Sequence, residues 1–218
     1  MKKHYVLISG ALRSGKDSCA DFLCQWKPDT FCKVSLADEL KDMEAELAEV
    51  YVKEWGVSVT YLPIKRGKAL QYLGTEIGRK IDAAAWIKLL KARAQKVKQP
   101  VIVVPDCRFA NEFFAQELLP GTRLCIYADE ATIQIRLDKV GDKRKIGVHQ
   151  SEKFSGELYR EIRAVGGDNW KTQKLITPGS LISGVKCFNT SKGTGYRLGE
   201  YRKAVLRWGA SFLKESGL

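Results

Sequence analysis

The sequence predicts an α/β fold, a parallel sheet with helices packed on both faces. Two observations carry this expectation. Short apolar runs alternate along the chain with stretches of helical periodicity. The chemistry-bearing residues gather just after those runs, where the carboxyl ends of parallel strands collect ligands. The 218 residues, 44% hydrophobic and 28% charged, suffice for one well-buried domain with a small lid or appendage. There is no internal repeat and no low-complexity tract.

Taken in order, Tyr5–Ser9 reads as a strand, and Gly15 to Trp26 as a helix with Ala20, Phe22, Leu23 and Trp26 near helical spacing. Phe31–Leu36 reads as a short strand, and Ala37 to Trp55 as an acidic helix. Lys68 to Lys98 reads as two helices that break near Ile81-Asp82. Val101–Pro105 is a wholly apolar strand, and Asn111–Leu119 a helix closed by Pro120-Gly121. Arg123–Ala128 is a strand, Ala131–Lys139 a helix, Val185–Asn189 a last strand, and Tyr196–Leu213 a terminal helix.

The net charge of +12 suits a polyanionic partner or a highly phosphorylated substrate. Residues 1–100 and 101–218 contribute +6 each, so the basic character is spread over the fold rather than held in one arm. Six cysteines include no Cys-x-x-Cys pair, and two histidines make a zinc site a poor fit. No apolar run is long enough to span a bilayer, and Met1–His4 leads into a strand without the apolar core of a signal peptide. The expectation is reduced thiols in a cytoplasmic protein, with no membrane partner.

The stretch Gly10-Ala-Leu-Arg-Ser-Gly-Lys16 follows a strand and opens a helix. That context marks a phosphate-binding loop. Gly10 and Gly15 let the backbone wrap an anion, the first amides of the helix point at it, and Lys16 reaches the β- and γ-phosphates. The next position, Ser or Thr in the usual pattern, is Asp17. Its carboxylate is an oxygen ligand for Mg²⁺, and Ser18 is a second candidate. Asp106 ends the apolar strand from Val101, which places it beside the loop as a second acid for Mg²⁺. Arg108 and Glu112 follow, and pair with each other or serve the site.

Several of these motifs, in this order, resemble the deoxynucleoside monophosphate kinases of tailed phages. The resemblance rests on the Gly10–Ser18 loop with its Gly-Lys-Asp ending and on LQYLGTEIGRKIDAAAWIKLL from Leu70, with Gln71, Gly74-Thr75, Asp82 and Trp86 in register. It rests also on VPDCRF and on HQSE at His149–Glu152. It covers roughly residues 5–152, with a weaker echo in Val185–Asn189 and the following helix. It implies a P-loop, nucleoside-monophosphate-kinase-like three-layer sandwich with about five parallel strands, an acceptor-binding helical region over about 37–98 and a lid over about 129–148. It implies that Gly10, Arg13, Ser14, Gly15, Lys16, Asp17 and Ser18 hold ATP, with Mg²⁺ at Asp17 and Asp106. Lys41, Lys68, Gln71, Arg79, Glu112, His149 and Glu152 would face a deoxynucleotide acceptor. Lys16, Asp106, Arg108, Arg136 and Arg144 would serve phosphoryl transfer, Arg136 and Arg144 from the lid beside Lys143 and Lys145. A phage protein would work in the host cytoplasm, and a homodimer is compatible with the sequence.

Two departures bear on the acceptor. Gly67-Lys68-Ala69 stands where relatives carry arginines, and lysine lacks arginine's bidentate grip. The segment 153–184, with Arg160, Arg163, Trp170, Lys171 and Lys174, has no counterpart. Together with Lys88, Lys91, Arg93, Lys96 and Lys98, it offers basic surface for DNA. Three readings follow: a deoxynucleoside monophosphate kinase, a kinase of 5-hydroxymethyluracil within phage DNA, and a P-loop domain that binds nucleotide and nucleic acid without turnover.

Overall fold

The computed structural model describes residues 2–56, 70, 72–142, 150–164, 185–191 and 198–218. Five strands, β1 (His4–Ser9), β2 (Phe31–Lys33), β3 (Val101–Val104), β4 (Gly121–Tyr127) and β5 (Val185–Asn189), form one sheet in the order β2-β3-β1-β4-β5. Every pairing is parallel. The helices are α1 (Lys16–Trp26), α2 (Leu36–Trp55), α3 (Ala85–Lys96), α4 (Glu130–Asp138), α5 (Gln150–Ala164) and α6 (Leu198–Ser216). A π-helical stretch, Tyr72–Gly78, runs into a single turn, Arg79–Ile81, ahead of α3.

Strand alternation sorts the core into two layers. Val6, Ile8, Val101, Val103, Leu124 and Ile126 pack against α1 and α6 through Leu23, Tyr201, Val205 and Trp208. Tyr5, Leu7, Ile102, Val104 and Cys125 face the other way, toward Trp86, Ile87 and Leu90 of α3 and Leu158 of α5. β1 and β3, adjacent in the sheet, bring the loop after Ser9 and the residues after Val104 to one end.

Two expected elements change. β2 stops at Lys33, because Ser35 and Asp38 start α2 with reciprocal caps: the Ser35 amide donates to Asp38 Oδ2 (2.8 Å) and the Ala37 amide to Ser35 Oγ (3.2 Å). The expected helix over Asn111–Leu119 is a single turn, Ala110–Phe113. Buried Arg123 takes the carbonyls of Phe113 (3.0 Å), Gly121 (2.6 Å) and Leu119 (3.4 Å), so the Phe113 carbonyl is bonded by a guanidinium rather than by a continuing helix. Among the described residues no helix is long and apolar enough to cross a membrane. All six cysteines are free thiols.

Candidate active site

The loop from Gly10 to Lys16 joins β1 to α1 at the centre of the sheet. A Cβ on Gly10 would lie 2.4 Å from the Ile126 carbonyl oxygen, so only glycine lets the loop leave β1 against β4. Gly15 has φ +105°, a left-handed conformation that turns the chain into α1. No side chain caps the first turn of α1. The Ser14 hydroxyl is fully buried and, among the described residues, without a hydrogen-bond partner. A buried hydroxyl left unpaired is costly unless a ligand takes it up. Together with Lys16, 8% exposed at the loop's end, this fits an anion held in the loop.

The loop is braced from behind and from the side. Tyr201 of α6 donates its hydroxyl hydrogen to the Gly15 carbonyl (3.1 Å). The fully buried Thr190, just past β5, donates to the Ser14 carbonyl (2.6 Å) and lies 2.9 Å from that of Tyr127. Arg136 of α4 donates to the Arg13 carbonyl (2.7 Å), the Thr190 carbonyl (2.7 Å) and Thr190 Oγ1 (3.2 Å). Arg136, expected in the lid, thus ties the loop to the end of β5. Arg13 pairs with Asp142 at 3.5 Å.

Asp17 is exposed in the first turn of α1. One carboxylate oxygen lies 3.7 Å from the Lys16 ammonium, the other 3.6 Å from that of Lys33. Asp106 lies at the carboxyl end of β3, but its carboxylate is occupied: it accepts from the Ser35 hydroxyl, the Leu36 amide (2.8 Å) and the Ala37 amide (2.9 Å). It therefore anchors the start of α2. Among the described residues no group of three or more His, Cys, Asp or Glu could hold a metal ion. Asp106, with both oxygens taken by donors, does not fit as a direct metal ligand; exposed Asp17, with Ser18 beside it, is the hard oxygen donor that fits Mg²⁺ keeping waters and phosphate oxygens as its main ligands.

The suggested Arg108–Glu112 pair does not form. Glu112, 2% exposed, pairs with the Arg79 guanidinium and takes from Arg108 only its backbone amide (2.8 Å), with that of Phe109 (3.1 Å). The Arg108 side chain is exposed. Arg79 also donates to the Gly74 carbonyl (2.7 Å), which accepts the Trp86 indole N–H as well (2.8 Å), and its guanidinium covers the Phe109 ring at 4.0 Å. Burial pushes the Glu112 carboxyl above the usual carboxylate range, while the Arg79 charge and the Arg108 amide pull the other way without cancelling it. Arg79 and Glu112, both assigned to the acceptor, thus meet and fix the Tyr72–Ile81 segment beside the end of β3.

Lys41 makes an ordinary surface pair with Asp38 (3.3 Å). The basic run on α3 is partly neutralised: Arg93 turns to Glu39 (2.7 Å) and Asp42 of α2, and Lys88 to Asp82 (2.7 Å). Lys68, Gln71, Arg144 and His149 lie outside the described residues, as does the Glu152 side chain in α5. That helix reaches the site's edge, where the Ser155 and Ser9 hydroxyls are 3.3 Å apart. Ser35, Lys33, Thr190 and Tyr201 were missed by sequence reasoning. Only Ser35 carries a local signal, the Ser-x-x-Asp of a helix start.

No protein-family model matches the sequence, and no curated protein matches it. Solved structures do match in fold. TT1252 from Thermus thermophilus aligns with a TM-score of 0.50 at 15% identity, over 97% of this chain and 98% of that one. A thymidylate kinase from Candida albicans aligns at 0.47 and 14%, over 96% and 92%. A gluconokinase from Sinorhizobium meliloti 1021 aligns at 0.45 and 14%, over 97% and 94%. What the chain shares with TT1252 is the fold alone, an α/β arrangement that in this chain carries five parallel strands.

Proposed function

We propose that the chain is an ATP-dependent phosphotransferase that moves the γ-phosphoryl group of ATP onto the 5′-phosphate of a deoxynucleoside monophosphate. The products are ADP and the deoxynucleoside diphosphate. One observation carries the donor half: a glycine loop closed to a Cβ at Gly10, left-handed at Gly15 and ending in Lys16 at the start of α1, on the central strand of a parallel sheet. Such a loop holds a polyphosphate by backbone amides and one ammonium. The acceptor half rests on the resemblance of Leu70–Leu90, Val104–Phe109 and His149–Glu152 to the phage kinases.

In this reading Gly10 to Ser18 hold the triphosphate, with Lys16 on its β/γ end. Asp17, with Ser18, faces the Mg²⁺ that neutralises the phosphates when bound. Asp106 positions α2 and one edge of the metal site. Arg108, exposed beside Asp106, and Arg144 reach the transferring group, since this chemistry needs positioning and charge more than covalent help. Arg136 keeps the loop in shape. Lys41, Lys68, Gln71, Arg79, Glu112, His149 and Glu152 form or support the acceptor side.

The test is transfer of label from γ-labelled ATP to free deoxynucleoside monophosphates, 5-hydroxymethyl-dUMP among them, alongside duplex DNA carrying 5-hydroxymethyluracil. Label in a free diphosphate, abolished by Lys16→Ala, is the expected result. Label in the polymer alone would move the acceptor to DNA, as the +12 charge would favour. Binding of ATP with no transfer to either would leave a non-catalytic P-loop domain.

A further inference from the structure

We propose that Lys33 is a positioning residue that neutralises Asp17 and so sets how strongly nucleotide binding depends on magnesium; the inference rests on the reading of Gly10–Ser18 as an ATP loop. Asp17 stands where the loop pattern carries a neutral hydroxyl, which adds a full negative charge next to the place of the phosphates. That charge acts against binding in two ways. It repels the triphosphate, and it draws on the Lys16 ammonium, 3.7 Å from one of its oxygens.

Lys33 answers both effects. Its ammonium lies 3.6 Å from the other Asp17 oxygen and 3.0 Å from Asp21, one helical turn further along α1. Lys33 is the last residue of β2, and its backbone is fixed in register with Val103 of β3. The positive charge therefore comes from a rigid strand and not from a mobile arm. Lys16, Asp17, Asp21 and Lys33 sum to zero; without Lys33 the group carries one net negative charge beside the phosphate loop. A loop so charged needs a divalent cation before it accepts a triphosphate. With Lys33 present, part of that need is met by the protein.

The same turn holds the other acid. Two residues after Lys33, the Ser35 hydroxyl and the amides that follow it take the Asp106 carboxylate. The connection from β2 to α2 thus contacts both acids assigned to the metal, and Lys33 is its member that carries charge.

The experiment is calorimetric ATP binding, once in EDTA and once in excess Mg²⁺, for wild type, Lys33→Met, Lys33→Arg, Asp17→Ser and the double variant Lys33→Met with Asp17→Ser. In EDTA, Lys33→Met is expected to bind about fivefold more weakly than wild type, the upper end for a partly exposed ion pair. In Mg²⁺ the difference should shrink to within about twofold, Lys33→Arg should bind like wild type, and in the Asp17→Ser background Lys33→Met should have little effect. A loss of equal size in EDTA and Mg²⁺, or one that persists in the Asp17→Ser background, overturns the proposal, because Lys33 would then touch the nucleotide itself or only support the fold. Wild type that binds ATP with a flat mutant cycle sinks this inference alone. Wild type that does not bind ATP sinks the loop assignment and the inference with it. Should Lys33→Met melt below the assay temperature, Lys33→Gln takes its place in the same cycle.

Discussion

Glu112 collects three donors at the junction of β3 and the Tyr72–Ile81 segment, and its removal has a calculable cost. Glu112→Ala leaves the Arg79 guanidinium, 19% exposed, with the Gly74 carbonyl as its remaining hydrogen-bond partner, and it leaves the amides of Arg108 and Phe109 without their acceptor. Removing one side of a buried pair costs several kcal/mol; Arg79 keeps some solvent, so the low end applies, about 3 kcal/mol. At this chain length that is a fall in Tm of about 6–12 °C in thermal denaturation near neutral pH. Glu112→Gln keeps the volume but turns an NH₂ toward either the guanidinium or the two amides, donor against donor, for about 1–2 kcal/mol. The pH dependence has a definite sign. Burial raises the Glu112 carboxyl above its ordinary value, so the folded chain takes up this proton more readily than the unfolded one. Its contribution to stability is then fully present below about pH 4.3 and is lost as pH rises through the raised value. The margin of wild type over Glu112→Gln should therefore be widest in mild acid and narrow toward neutrality. A margin that widens with rising pH would refute this reasoning, since the Arg79 charge would then outweigh burial.

Three further outcomes test the loop and its supports. Thr190→Val keeps the shape but deletes the hydroxyl on the Ser14 carbonyl, and should cost about 2 kcal/mol in urea denaturation together with a measurable loss of ATP affinity; unchanged affinity would separate the brace from the site. Gly10→Ala puts a methyl group 2.4 Å from the Ile126 carbonyl oxygen and 2.6 Å from Ser14 Oγ, and should weaken ATP binding by at least about tenfold with the core intact, as near-ultraviolet circular dichroism and calorimetry would report. Burial pushes the Cys19 thiol up to about 12 and the Cys24 thiol up to about 11, so alkylation of the native protein at pH 8 should spare both, and peptide mass spectrometry that finds Cys19 labelled first would contradict the packing of α1.

The contrast between what could and could not be read from the sequence follows the range of the interactions involved. Alternation of apolar runs fixed the five strands to within a few residues, because each strand's burial is written in its own side chains. The turns at Gly10 and Gly15 were equally legible, since each glycine acts on its own backbone. The placement of Asp106 just past β3, with Glu112 in the turn that follows, was legible from the apolar run before them. Their partners were not. Asp106 is claimed by Ser35, 71 residues away, and Glu112 by Arg79, 33 residues away, while its near neighbour Arg108 gives only an amide. The helix expected after Asn111 failed for a similar reason. Local pattern favours it, but a guanidinium ten residues on takes the Phe113 carbonyl.

Thr190 and Lys33 mark the far end of that range. Neither belongs to a motif, and each is an ordinary residue at the end of a strand. What gives them a role is the order β2-β3-β1-β4-β5, which places the ends of β2 and β5 at opposite edges of one sheet. Thr190 reaches back from the β5 edge to the loop carbonyl, and Lys33 from the β2 edge to the carboxylate of Asp17. One edge fixes the loop's shape and the other its charge, so deleting the hydroxyl at Thr190 should be felt with or without metal, while a charge-preserving change at Lys33 should be silent. Thr190→Val should lower ATP affinity alike in EDTA and Mg²⁺, whereas Lys33→Arg should leave both unchanged. If both variants shift with the metal, the two edges are not separable and the division of labour argued from the strand order is wrong.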